Sequence, residues 1–179
     1  MSEDKKIEEL NKQMAKQEDL VAKIASGDQA SDEKYLTFKL AREVYGLEIL
    51  SVREIIGLLP ITRVPRMPEH VRGVINLRGK VIPVIDLRVK FGMEVAEETS
   101  ETCIIVVDAE DGNGDLLIGI LVDSVSEVLD ISDKNIEDTP EMGSTVDAGY
   151  ISGIGKAGDK VVILLDIVRV LETQEITIQ

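Results

Sequence analysis

The sequence has no tryptophan, only two phenylalanines and three tyrosines, and a single cysteine and a single histidine. With so few aromatics, its 44% apolar content rests on Val, Ile and Leu, and branched aliphatic residues in short runs favour β-structure. A lone cysteine makes no internal disulfide, so nothing points to an oxidising compartment. Cys103 opens an apolar run and reads as a small core residue. His70 lies in a proline-flanked loop with neither Cys nor a second His beside it, so no metal site or nucleophile–base pair can be assembled around it. Basic residues are also scarce, 20 against 34 acidic, for a formal net charge of -14. That charge repels a phosphate backbone and an anionic membrane surface, which excludes nucleic acid as an expected partner. No apolar run approaches the ~18 residues of a membrane span and no cationic, apolar leader is visible. The expectation is a cytoplasmic chain with no direct membrane insertion.

What is present is organised around Gly73 to Leu87. Two apolar runs, Val74 to Leu77 and Lys80 to Ile85, are separated only by Arg78 and Gly79, the spacing of a tight β-hairpin with the Arg78 side chain at its tip. Pro83 has no N–H to give to a ladder, so its strand is expected at a sheet edge or with a bulge there. Asp86 is free to cap a following helical turn, Leu87 to Phe91, closed by Gly92.

The stretch has a second copy. Gly149-Tyr150-Ile151 leads through Gly155-Lys156 to the run Lys160 to Ile167, which aligns with the first copy if the second turn is longer. Upstream, Gly46 to Ile56 matches Gly119 to Leu129 without a gap. A unit built twice in 179 residues points to two small subdomains, approximately residues 35–92 and 102–171 within a domain spanning 31–175. Alternation over Tyr35 to Leu40 and Val44 to Ile49 predicts strands. Ser51 to Ile56 fits either a strand or one helical turn, and Pro60, Pro65 and Pro68 punctuate an irregular segment. A polar acidic linker, Glu94 to Glu101, joins the copies. Cys103 to Asp108 and Leu116 to Asp123 are strands about a turn at residues 110–115. Each copy offers about five short strands, the count that closes a small barrel. Residues 1–30 differ from all this. Ile7, Leu10, Met14, Gln17, Val21 and Ile24 occupy heptad a and d positions, an amphipathic helix that either packs as a tail or supports weak self-association.

Motifs for chemistry fail on spacing. Gly73 to Lys80 carries Gly, five residues and Gly-Lys followed by Val81, so the magnesium ligand of a phosphate loop is missing. A calcium loop starting at Asp111 needs Gly at 116 and Glu at 122, where Leu116 and Val122 stand. Asp86 and Asp166, a conceivable acid–base pair, occupy equivalent places and are read as helix caps. No catalytic residue and no cofactor is expected. Val52, Glu54 and Ile55, with Val125, Glu127 and Val128, alternate apolar and acidic residues at matching places. They are either core or, at a seam between subdomains, the lining of a groove for an amphipathic helix oriented by Glu54 and Arg78.

Tyr45 to Ile56, Asn76-Leu77-Arg78-Gly79, Val81 to Leu87 and Val122 to Leu129 resemble the CheW family of chemotaxis coupling proteins, over about Tyr35 to Leu171. The resemblance implies a mainly β fold of two SH3-like five-stranded barrels, whose strands may partly exchange. It implies a non-catalytic adaptor joining the cytoplasmic tip of transmembrane chemoreceptors to the regulatory domain of the histidine kinase CheA, in membrane-associated arrays. Val52, Glu54, Ile55 and Arg78 match positions of receptor contact, with Val125 and Val128 beside them. Ile61, Thr62, Arg72 and Gly73 match the kinase-facing surface, and the second barrel is expected to meet another kinase regulatory domain and so help close rings. Residues 1–30 are longer than the tail the resemblance leads one to expect. No receiver domain is seen after Leu171, as in the CheV type, and no phosphotransfer histidine or ATP-binding segment, as in the kinase. A paralogue serving surface motility or another chemosensory pathway fits the same residues.

Overall fold

The computed structural model describes residues 8, 11, 12, 14, 33–109, 116–138 and 148–171. The heptad helix expected over residues 1–30 lies outside these, apart from Glu8, Asn11, Lys12 and Met14, which are helical and exposed. The turn at 110–115 lies outside them as well.

Eleven strands are described. The first half supplies β1 (Glu33–Leu40), β2 (Glu43–Glu48), β3 (Val52–Gly57), β4 (Val71–Leu77) and β5 (Lys80–Asp86). The second supplies β6 (Cys103–Asp108), β7 (Leu117–Val122), β8 (Ser124–Ile131), the short β9 (Ile136–Glu137), β10 (Ile151–Ala157) and β11 (Lys160–Leu165). Of the two forms open for Ser51 to Ile56, the strand is found, as β3 begins at Val52, while a 3-10 turn at Ile49–Ser51 precedes it.

Neither sheet comes from one half of the chain. One has the order β3-β6-β7-β5-β4 and the other β8-β1-β2-β11-β10-β9. Each contains one parallel pair that crosses between the halves, β5 with β7 and β2 with β11. The two pairs are the same interaction seen twice, since Val84 stands opposite Gly119 in one and Leu164 opposite Gly46 in the other. The first sheet is drawn into a barrel by a bridge between Thr62 and Val74, and β9 makes the corresponding contact with β10 in the second.

Three apolar clusters follow from this topology. Ile75, Ile82, Val84, Ile104 and Val106 fill the first barrel. Tyr35, Ile131, Val162 and Leu164 fill the second. The largest cluster draws on both sheets, among others Leu36, Phe38, Leu47, Ile85, Ile105 and Ile120, and joins the barrels. β6 is buried at every position because its alternate residues face different clusters, Ile104 and Val106 one way and Cys103, Ile105 and Val107 the other. This double burial is why its sequence is an unbroken apolar run. Four of the five aromatic side chains form a row, Phe38, Tyr45, Phe91 and Tyr150, with successive ring centroids 5.9, 5.9 and 5.8 Å apart. Burial pushes the Tyr45 phenol up to about 12.

Two expectations are corrected. The second hairpin turn is not longer: Ala157 pairs with Lys160 across Gly158 and Asp159, as Leu77 pairs with Lys80 across Arg78 and Gly79. The counterparts of Gly73 and Lys80 are therefore Gly153 and Lys160, rather than Gly149 and Lys156, and both hairpins carry a bulge just before that glycine. Pro83 is not on an edge strand, since β5 lies between β4 and β7. The ladder to β7 starts one residue later, at Val84, so no donor is required of Pro83 on that side.

Asp86 and Asp166 cap their helical turns as the sequence predicts. Asp86 accepts from the Arg88 N–H, and Asp166 accepts from those of Val168 and Arg169. Each turn is also tied to the strand before its hairpin, with Asp86 N–H donating to the His70 carbonyl and Asp166 N–H to that of Tyr150.

Candidate functional site

The β4–β5 hairpin places one candidate group at its tip and another at its base. At the tip, Arg78 and Gly79 both have positive φ, 52° and 87°, the signature of a type I′ turn. Gly79 N–H donates to the Asn76 side-chain carbonyl at 2.9 Å, which closes the turn. Arg78 is 71% exposed and its guanidinium donates to the carboxylate of Glu54 on β3. That hydrogen bond, followed by the charge of Glu54, holds the Arg78 pKa above its usual value. β3 and β4 are the two outer strands of the first sheet, so the pair spans the line along which the barrel closes. The second barrel has an ion pair near the equivalent place but from a different position, with Lys160, the counterpart of Lys80, reaching Glu127 on β8 at 2.9 Å.

The apolar candidates beside this pair are placed differently from a groove lining. Val52, Ile55 and Val125 are 4%, 5% and 6% exposed and belong to the cluster that joins the barrels. Val128 is half-buried and packs against the same cluster. The segment does lie between the subdomains, but the seam is filled. Of the two readings open at these positions, the burial of Val52, Ile55 and Val125 agrees with core packing rather than with the lining of an open groove.

At the hairpin base, Ile61, Thr62, Arg72 and Gly73 converge. Thr62 N–H donates to the Val74 carbonyl and Val74 N–H to the Thr62 carbonyl, both at 2.8 Å. Gly73 has φ +146°, and a Cβ there would stand 2.1 Å from the Thr62 carbonyl oxygen, so the approach requires glycine. Arg72 occupies the bulge, with its guanidinium 3.6 Å from buried Asp86 and 2.9 Å from Glu98 on the linker. Ile61 and Arg72 line an open groove of about 590 Å3 with Leu58, Leu59, Arg63 and Glu98.

Sequence reasoning missed Leu58, Leu59 and Glu98. The adjacent leucines before Pro60 carry a signal for the first two. Glu98 sits in an acidic linker that reads as solvated, and only the fold brings it to Arg72. A further ion pair at the junction of the halves was also not foreseen. Arg88 grips Asp123 through two hydrogen bonds, and Asp123 also accepts from the Ala41 N–H at 2.8 Å. Burial alone would raise the Asp123 pKa, but the hydrogen bonds from Arg88 and Ala41 outweigh it, and the carboxyl lies below its usual range.

Among the described residues, no group of three or more His, Cys, Asp or Glu is placed to hold a metal ion, and no helix is long and apolar enough to cross a membrane.

Comparison with known proteins agrees with this geometry. Residues 34–175 match the CheW-like domain family model. The chain is 38% identical over 146 residues to a chemotaxis protein CheW of Klebsiella aerogenes, covering 82% of this chain and 86% of that one. It is 34% identical over 140 residues to a chemotaxis protein CheW of Rhizobium meliloti, covering 78% and 88%. The crystal structure of the scaffolding protein TtCheW from Thermoanaerobacter tengcongensis matches with a TM-score of 0.72 at 36% identity, over 83% of this chain and 94% of that one. A duplicated, strand-exchanged pair of barrels with an exposed arginine on its first hairpin, matched over most of its length by these relatives, belongs to the CheW family of chemotaxis scaffold and adaptor proteins.

Proposed function

We propose that the chain is a non-catalytic adaptor that couples the cytoplasmic tip of transmembrane chemoreceptors to the regulatory domain of the histidine kinase CheA, within arrays on the cytoplasmic side of the membrane. The receptor meets the face carrying Glu54 and Arg78, which Val52, Ile55, Val125 and Val128 support from beneath. The kinase meets the corner formed by Ile61, Thr62, Arg72 and Gly73, and the second barrel takes a further kinase regulatory domain.

The observation that carries this reading is that one hairpin carries both sets of candidate residues, Arg78 at its tip and Arg72 and Gly73 at its base. The two are about five strand residues apart, roughly 15 Å. β4 is held to β5 by a ladder and at its base by the Thr62–Val74 bridge, and β5 is laddered on to β7, so a shift imposed on the tip is carried to the base. Holding two proteins on one rigid element also raises their effective concentration for each other, and a displacement that favours one kinase state is then a coupling free energy between the sites.

Replacing Arg78 with Glu tests the reading in a reconstituted assembly of receptor, kinase and this chain. Receptor-dependent kinase activation is expected to fall toward the receptor-free level while the fold persists. Undiminished activation would remove Arg78 from the proposal.

A further inference from the structure

The linker between the halves is strapped across the first barrel rather than hanging free of it. Arg88 donates to the Glu94 carbonyl at 3.1 Å. The Thr99 N–H donates to the Thr102 hydroxyl at 2.8 Å, and the Thr102 N–H returns to the Thr99 carbonyl at 3.2 Å. Between these anchors, Glu98 reaches the rim of the groove and takes the outer side of the Arg72 guanidinium at 2.9 Å.

Arg72 therefore serves two carboxylates of different character. The Asp86 side chain, 6% exposed, is fixed as a helix cap and stays where it is. The Glu98 side chain is 47% exposed, so it can leave for water at the cost of an exposed ion pair only. The groove on which both arginine and glutamate open is lined for the rest by the apolar Leu58, Leu59, Pro60, Ile61 and Val71 and by a second pair of opposite charges, Arg63 and Glu69.

Resting on the reading above that this corner meets the kinase, we propose that Glu98 is a built-in stand-in for a partner carboxylate. The groove takes a segment of the kinase regulatory domain that carries an Asp or Glu beside apolar side chains. That carboxylate replaces Glu98 on Arg72 while the apolar side chains cover Leu58, Leu59 and Ile61. The strap thus competes with the partner and sets its affinity. Charge complementarity at Arg72, already satisfied internally by the same functional group, identifies the ligand chemistry.

The test is a calorimetric titration of the full chain with the kinase regulatory domain at physiological salt. Glu98→Gln is expected to tighten binding roughly 1.5- to 5-fold, the equivalent of losing one exposed competing ion pair. Glu97→Gln makes the same charge change without touching Arg72 and is expected to leave the affinity unchanged. In an Arg72→Gln background, Glu98→Gln is expected to give no gain. Binding by the unmodified chain that is indifferent to Glu98, or a gain equal in Glu97→Gln or preserved without Arg72, overturns the inference alone. Absence of binding by the unmodified chain overturns the kinase reading and the inference with it.

Discussion

Gly73 and Thr62 meet backbone to backbone, with a pair of 2.8 Å hydrogen bonds between Thr62 and Val74 on one side and no room for a Cβ on the other. This contact closes the first barrel and fixes the corner assigned to the kinase. Gly73→Ala must push the Thr62 carbonyl away in a backbone region unfavourable to side chains. It is expected to cost about 1–3 kcal/mol, which lowers Tm by roughly 2–12 °C at the scale for domains of this size. Kinase binding should weaken more than receptor binding. An unchanged Tm in thermal unfolding would show that the contact is looser than described.

Arg78 sits at positive φ at an exposed turn tip, where Asn is the more comfortable residue. Arg78→Asn is therefore expected to leave Tm unchanged or raise it, while receptor-dependent kinase activation falls. A Tm that drops with activity would mean that the side chain is structural.

Ile55 gives the opposite pattern. Its side chain lies in the cluster joining the barrels, so Ile55→Ala opens a cavity expected to cost about 2–5 kcal/mol. Receptor binding should recover at low temperature, where the variant is folded. Loss of receptor binding without loss of stability would return Ile55 to the surface.

The Arg88–Asp123 pair predicts a pH response. The folded Asp123 carboxyl is held below its ordinary range, so its contribution is fully present above the unfolded value of about 3.9 and is lost as pH falls through the lower folded value. Asp123→Asn leaves the Arg88 guanidinium half-buried without its charged partner. It is expected to lower stability by about 1–3 kcal/mol at pH 7 and to flatten the acid limb of a urea midpoint series from pH 7 to pH 3. Parallel curves for the two proteins would exclude the pair as a source of acid sensitivity.

The parts of the fold legible in the sequence are those with local causes. The Arg78-Gly79 spacing specifies the turn, Asp86 and Asp166 announce their caps, and the apolar run Cys103 to Asp108 announces a strand, though its burial on both faces emerges only in the fold. The cross-half pairs Val84 with Gly119 and Leu164 with Gly46 leave no such mark, because a parallel ladder has no connecting turn to read. Gly155-Lys156 imitates Gly79-Lys80 in the sequence and so suggests the wrong register for the second hairpin, whereas the actual turn uses Gly158 and Asp159. Val52 and Ile55 could not be assigned to core or surface from alternation alone, since both faces of that strand are apolar somewhere along it. Glu98 was invisible for another reason: its partner Arg72 is reached only when the linker crosses the barrel.

A pull-down of the full chain with a chemoreceptor cytoplasmic tip and the kinase regulatory domain, each alone and then together, tests the two-faced adaptor most directly. Both partners should be retained at once, with Arg78→Glu losing the receptor alone and Gly73→Ala weakening the kinase more than the receptor. Mutually exclusive binding, or a single substitution that abolishes both while the fold survives, would contradict it.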